Sequence, residues 1–303
     1  MISDEAQRFA DLLRSAPRMA ELPLAQQRAA GEHAEDLTAA PEGVTEEPVA
    51  DDAIRGMWVT PSGAPPDRTV LYLFGGGHVI TSTASRRKFA GHLALALEAR
   101  VLLLDYPLAP EHPFPRDVEA TVAAVRALLD GGVAAERLVL AGESSGGGLV
   151  LETLLAADRA GLARPAAAYL MSPWADLRCT AASYTDRRDV DLECSRESLQ
   201  RMARQYLDGH DPSDPAASPV LAGPAELATA LPPLFVQVGG HEVLLDDALA
   251  VVRAAALADV PATLQVWPEM QHFFQLGVGI YPEAAAALRA AGSWLRDRLQ
   301  PAT

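Results

Sequence analysis

A chain of 303 residues with 49% hydrophobic and 21% charged side chains has the composition of an ordinary globular protein, which excludes disordered, collagen-like and fibrous classes. A formal charge of −15 repels phosphates, so nucleic acid and anionic membrane surfaces are excluded as partners and small neutral or apolar molecules are expected. Two cysteines, Cys179 and Cys194, match no zinc spacing and are too few for a disulfide scaffold; reduced thiols in a cytoplasmic protein follow.

The chain opens on Met1-Ile2-Ser3-Asp4-Glu5, acidic where a secretory leader is basic, and no apolar run reaches the length of a membrane span. A soluble, non-exported location is therefore expected. Residues 2–15 and 24–38 read as helices, with Phe9, Leu12 and Leu13 on one face of the first. Such a pair ahead of the first strand is either plain packing or a lid over a site.

From Ile54 onward strands and helices alternate. Strands are predicted at 54–60, 69–74, 101–104, 137–141, 167–171, 234–238 and 262–267, mostly as continuous apolar runs of the kind buried on both faces of a parallel sheet. Helices are predicted at 84–99, 116–130, 145–160, 246–259 and 282–298. This is the pattern of an open, mostly parallel α/β sheet flanked by helices, with right-handed crossovers.

The interval 175–230 breaks the alternation. It holds a helix near 195–208, ended by Gly209, and the proline-rich Asp211-Pro212-Ser213-Asp214-Pro215, and it is too long for an ordinary connection. It reads as an insertion that joins residues 1–45 in a helical cap, with the core formed by 46–174 and 231–303; the alternative is a helix packed at the sheet margin.

The chemistry gathers around Gly142-Glu143-Ser144-Ser145-Gly146, a G-x-S-x-G run between a short apolar strand and a helix. In a nucleophile elbow the serine sits on a sharp strand-to-helix turn that small neighbours must permit. The helix that begins at Ser145 points unpaired N–H groups and the positive end of its dipole at the same place. The bland alternative is a Gly-Ser loop.

Partners decide between them. Open α/β sheets bind ligands beyond the carboxyl ends of their strands, and three polar residues lie there: Ser144, Glu242 and His272. Their order is nucleophile, acid, histidine. A serine hydroxyl needs a neutral imidazole to take its proton, and a carboxylate must hold that imidazole's tautomer. Asp246 and Asp247 rival Glu242, but they fall where the next helix starts and carboxylates also cap. Gly75-Gly76-Gly77, directly after a strand and followed by His78, leaves backbone N–H groups uncovered that, with Ser145, can bind an oxyanion.

These residues resemble a known family. Phe74-Gly75-Gly76-Gly77, the stretch Asp105 to Pro115, Gly142 to Gly147, Ser172 to Leu177, Glu242 to Asp246 and Trp267 to His272 are similar to the hormone-sensitive-lipase-like bacterial esterases, particularly those labelled ε-lactone hydrolases. The resemblance implies the α/β-hydrolase fold with a helical cap, Ser144 as nucleophile, Glu242 as acid and His272 as base. It implies oxyanion donors at Gly76 and Gly77, in the loop opened by Gly75, and at Ser145. Three positions depart from the family: Phe74 stands where histidine holds the loop, Ser145 where alanine is usual, and Pro107 where arginine is common.

The expected function is cofactor-free and metal-free hydrolysis of small to medium apolar esters or lactones through an acyl-enzyme. Acyl transfer or cyclisation on the same triad, and a receptor-like binding protein without turnover, are the competing readings. Family members are often dimers, so a homodimer is carried by the resemblance alone.

Overall fold

Among residues 2–15, 22–51, 54–65 and 67–299, which the computed structural model describes, eight strands hydrogen-bond into one sheet. The terminal positions of the expected cap and core, residue 1 and residues 300–303, lie outside the described residues. In chain order the strands are β1 (Val44–Ala50), β2 (Arg55–Pro61), β3 (Thr69–Leu73), β4 (Arg100–Leu104), β5 (Leu138–Glu143), β6 (Ala167–Met171), β7 (Leu234–Gly239) and β8 (Ala262–Trp267). Their order in the sheet is β1-β2-β4-β3-β5-β6-β7-β8. The first two strands run antiparallel to their neighbours, and from β4 to β8 every pairing is parallel. Strands β3, β5, β6 and β7 are buried along their whole length, which is why their sequences are apolar runs rather than alternations.

Strand β1 is an addition to the predicted set, and it begins at Val44, before the expected end of the N-terminal cap segment at residue 45. Glu46, Glu47 and Pro48 argue against a strand, but β1 is the outermost one and holds them toward water, where glutamate and proline also blunt a free edge.

The helices are α1 (Asp4–Ser15), α2 (Leu24–Glu32), α3 (Thr83–Leu97), α4 (Arg116–Asp130), α5 (Ser145–Arg159), α6 (Ser183–Asp186), α7 (Arg196–Leu207), α8 (Pro224–Ala230), α9 (Leu245–Leu257) and α10 (Pro282–Arg296). The connection from β3 to β4 moves one way across the sheet and all later crossovers move the other way. Right-handedness therefore puts α3 on one face and α4, α5, α8 and α9 on the opposite face. Helix α10 packs on α3, and α8 wedges between α5 and α9. No described helix is long and apolar enough to cross a membrane.

A second, smaller core lies apart from the main one. Val79, Ala109, Trp174, Leu177, Val243 and Leu244, all from loops at the carboxyl ends of strands, pack with Leu199, Ala203 and Tyr206 of α7 and with Leu24 of α2. Helix α7 and the start of α2 are thereby packed on the loops at the edge of the sheet where the sequence places its chemistry. Arg28 of α2 adds polar anchoring, donating to the Val79 carbonyl at 2.9 Å and the Ala109 carbonyl at 2.9 Å.

Candidate active site

Strand β5 ends at Glu143 and α5 starts at Ser145, leaving Ser144 alone at the turn with φ 56° and ψ −127°. A non-glycine residue there is strained and persists only where its surroundings over-determine it. Those surroundings are explicit. The Ser144 N–H donates to the Met171 carbonyl at 2.9 Å, and its own carbonyl accepts from Trp174 at 2.9 Å and Gly147 at 3.0 Å. A Cβ at Gly142 would lie 2.3 Å from the Gly146 carbonyl oxygen, and one at Gly146 would lie 2.2 Å from that of Leu73. Glycine at both places is a condition of bringing strand, helix and neighbouring strand so close.

His272 and Glu242 come together 30 residues apart in sequence, Nδ1 to Oε2 at 2.8 Å, with the carboxylate fully buried. The other carboxylate oxygen accepts from the Gly239 N–H at 2.5 Å and from the Ser172 hydroxyl at 2.8 Å. With Nδ1 engaged, the ring offers Nε2 as its proton-accepting nitrogen. Asp246 faces elsewhere: its carboxylate accepts the Ser183 N–H at 2.8 Å, and its own N–H donates to the Ser183 hydroxyl at 3.2 Å. Asp247 accepts from the Ala175 and Asp176 N–H groups at 3.1 and 3.0 Å, and burial pushes its carboxyl up to about 8.

Ser172, to which the sequence reading gives no role, is the hub of this arrangement. It stands one residue past β6 at φ 47°, donates to Glu242 and accepts the Phe273 N–H at 3.2 Å. It therefore ties the acid to the backbone beside the histidine. Its residue type gave no signal, because serine before proline after a strand reads as a turn.

The glycine loop packs directly on the elbow. A Cβ at Gly75 would lie 2.8 Å from the Ser144 Cβ, while Gly76 and Gly77 take φ of 120° and 63°. Neither the Gly76 nor the Gly77 N–H has an acceptor among the described residues. Phe74 is fully buried and stacks on Tyr106 with ring centroids 4.4 Å apart, and the Tyr106 hydroxyl donates to the Phe74 carbonyl. Beyond the loop, the His78 N–H donates to the Ser145 hydroxyl at 3.1 Å, and its ring meets Asp117 at 2.8 Å while stacking on Tyr206. The Ser145 hydroxyl thus holds the glycine loop on one side, and the stacked Phe74 and Tyr106 hold it on the other.

Comparison with known proteins bears on the family and the fold. The family described as alpha/beta hydrolase fold matches residues 70–276. The chain belongs to the α/β-hydrolases. Among its relatives, an acetyl-hydrolase of Streptomyces hygroscopicus is 44% identical over 239 residues, 79% of this chain and 78% of that protein. An esterase of Acinetobacter venetianus is 32% identical over 242 residues, 80% of this chain and 78% of that one. The crystal structure of an esterase from the bacterial hormone-sensitive lipase family superposes with a TM-score of 0.92 at 38% identity, covering 99% of this chain and all (100%) of the other.

The electrostatics of this α/β-hydrolase are set by burial. Beneath the elbow, Glu143 accepts from Arg86 at 2.7 Å and from the Tyr72 hydroxyl at 3.0 Å, and the guanidinium lies over the Phe273 ring at 5.5 Å. That pair links the elbow to the residue after His272, and removing one partner would leave a buried charge unmatched. Burial works to lower the His272 imidazole, but the hydrogen bond and charge of Glu242, joined by Glu193 and Asp191, raise it to about 9. Under the glycine loop, burial and the neighbouring Asp117 hold Glu152 well above the usual carboxylate range. Among the described residues no three histidine, cysteine or acidic side chains are grouped to hold a metal ion. A recess of about 590 Å³ between α4 and α5, with Val118, Val122, Glu152 and Arg159 among its walls, is lined by none of Ser144, Glu242, His272 and the three loop glycines.

Proposed function

We propose that the chain is a serine carboxylic ester hydrolase in which Ser144 attacks the acyl carbon, His272 takes and returns the proton, and Glu242 holds the imidazole and stabilises its cation. The observation that carries this reading is the 2.8 Å contact of His272 with Glu242 at the sheet edge where Ser144 is held in strained backbone. The N–H groups of Gly76, Gly77 and Ser145 receive the negative charge on the carbonyl oxygen as the tetrahedral intermediate forms. Collapse expels the alcohol with the proton from His272. Water, deprotonated by the same nitrogen, then releases the acid and restores Ser144. Esters of modest size with apolar acyl groups fit this machinery, and lactones are the same bond closed into a ring.

The base works only as neutral imidazole. With His272 raised to about 9, kcat/KM is expected to climb with pH through the neutral range and to level off only on the alkaline side, an order of magnitude per unit below the inflection. A pH series on a neutral ester checks this, and an inflection near the ordinary value of about 6.5 would show that Glu242 does not charge-stabilise the ring.

Phe74→His is expected to change turnover by less than about tenfold, because the donors are backbone groups and Tyr106 and Ser145 already hold the loop. Ester kinetics beside a thermal melt make the comparison, and a gain of a hundredfold would mean that the native hole is impaired for hydrolysis.

The decisive test of the reading is a panel of esters, lactones and amides with product analysis in water and with an added alcohol. Free acid as the product supports hydrolysis. Acyl transfer to the alcohol in preference to water would replace it with a transferase, and no turnover together with no labelling by a fluorophosphonate would leave a binding protein.

A further inference from the structure

The recess between α4 and α5 takes no part in the chemistry above, yet a buried carboxyl stands in its wall. Phe114, Val118, Val122, Ala156 and Ala216 make most of the lining apolar, and the volume of about 590 Å³ falls in the range of about 300–1,000 Å³ that small-molecule sites occupy. Glu152 of α5 is the exception. It lines the recess and is only 2% exposed. Its Oε2 meets the Tyr206 hydroxyl at 3.0 Å, whereas its Oε1 has no hydrogen-bond partner among the described residues and is not sealed from the recess. An apolar recess thus ends on an unpartnered carboxyl oxygen.

The protons around Glu152 can be counted. The Tyr206 hydroxyl stands 2.9 Å from Asp117 Oδ1 as well as 3.0 Å from Glu152 Oε2, and a phenol has one proton to give. One of the two carboxyls must therefore carry a proton of its own and donate it to the phenol oxygen. Asp117 already accepts the Val118 N–H at 2.8 Å on Oδ1 and meets the His78 ring at 2.8 Å on Oδ2, so that proton falls to Glu152. Burial first, and Asp117 next, raise the Glu152 carboxyl in the same sense. The oxygen left to the recess is an acceptor on a group that can give up its proton when a cation arrives.

We propose that this recess is a second ligand site, one that takes an apolar primary ammonium ion with its alkyl tail along the walls and its head on Glu152. The head donates N–H bonds to the free oxygen, and its charge replaces the carboxyl proton, which leaves to solvent. Charge favours a cation over a neutral alcohol of the same shape. The two neighbouring carboxyls have no lysine or arginine among their hydrogen-bond partners, and the net charge of −15 draws cations toward the protein. Among the exposed lining residues, Arg159 is engaged by Glu226 at 2.5 Å and Glu119 by Arg116 at 2.8 Å, while Arg126 stands in water, where its repulsion is screened. The site does not depend on the ester-hydrolase reading, since none of Ser144, Glu242 and His272 lines it.

n-Hexylammonium and 1-hexanol share a tail and differ in the head, so calorimetric titration of the full chain with each isolates the charge. The wild type is expected to bind hexylammonium about tenfold or more tightly than 1-hexanol at about pH 7.5, the scale of a hydrogen bond to a charged group. It should release about one proton per ion bound, read from the dependence of the heat on the buffer, so that affinity climbs as pH rises for as long as Glu152 is protonated in the free protein. Glu152→Gln should bring the two probes within about twofold of each other and abolish the proton release. Asp117, Tyr206 and His78 are present in both proteins, so the difference between them belongs to Glu152. Ala156→Trp fills the recess without touching that carboxyl and should weaken hexylammonium by about tenfold or more. Equal affinity for the two probes, a preference for 1-hexanol, binding without proton release, or full-strength binding to a folded Ala156→Trp overturns the inference. The probe ratio and the proton release need only the wild type, so the test survives a substitution that fails to fold.

Discussion

Ser144→Ala is expected to lower ester turnover by roughly 10⁶-fold, the scale of losing the nucleophile of a triad, while the melting temperature stays close to that of the wild type. The separation of the two effects follows from how the residue is held. The hydrogen bonds that fix Ser144 are made by its backbone, to Met171, Gly147, Gly148 and Trp174, and alanine keeps all four. Alanine also meets the positive φ with the same Cβ, so the strain at the elbow is unchanged. Only the hydroxyl is removed. Intact-mass measurement after a fluorophosphonate should show one adduct on the wild type, mapped to Ser144, and none on the variant. Its neighbour is the control for misassignment: Ser145 is fully buried and its hydroxyl accepts from His78, so an adduct there would overturn the assignment of the nucleophile.

Much of the fold was legible because burial on both faces writes itself into sequence as unbroken apolar runs. Strands β6 and β8 begin and end where the sequence places them, β3, β4 and β7 differ by one residue at one end, and β5 is displaced by one residue at its start and two at its end. Strand β1 was not legible, since an edge strand needs no apolar run and its glutamates and proline read as loop. Helix α8 carries a proline at its first position after Gly223, a usable start signal, but the signal was absorbed into an interval read as insertion. The site divides in the same way. Ser144, Glu242 and His272 each follow a strand, and sheet topology makes that position informative before any coordinate is known. Ser172 is placed by hydrogen bonds between loops far apart in the chain, to Glu242 and from Phe273. No local pattern encodes such contacts. The role of Ser145 was hidden for a related reason, because its hydroxyl matters only once the glycine loop has folded back on the elbow.

The identity of the acid carries the second large effect. Glu242→Gln is expected to cost about 10⁴ in turnover, because an amide facing Nδ1 can present its N–H₂ group and favour the wrong imidazole tautomer. Asp246→Asn should cost less than about tenfold, since that side chain meets only the Ser183 backbone and an asparagine oxygen can accept the same N–H. Both residues are tied to loops that matter, so the comparison must be made at matched stability. Glu242 also accepts from Gly239 and Ser172, contacts that a glutamine oxygen can keep while its nitrogen faces the ring. The variant should therefore fold and still bind ester, with the loss falling on kcat rather than KM. The pH profile separates a lost base partner from a general loosening of the site. Without the charge and hydrogen bond of Glu242, burial dominates His272 and its inflection should move down from about 9, toward or below the ordinary value. Equal losses in the two variants, or a larger loss in Asp246→Asn with the inflection left in place, would transfer the role to Asp246.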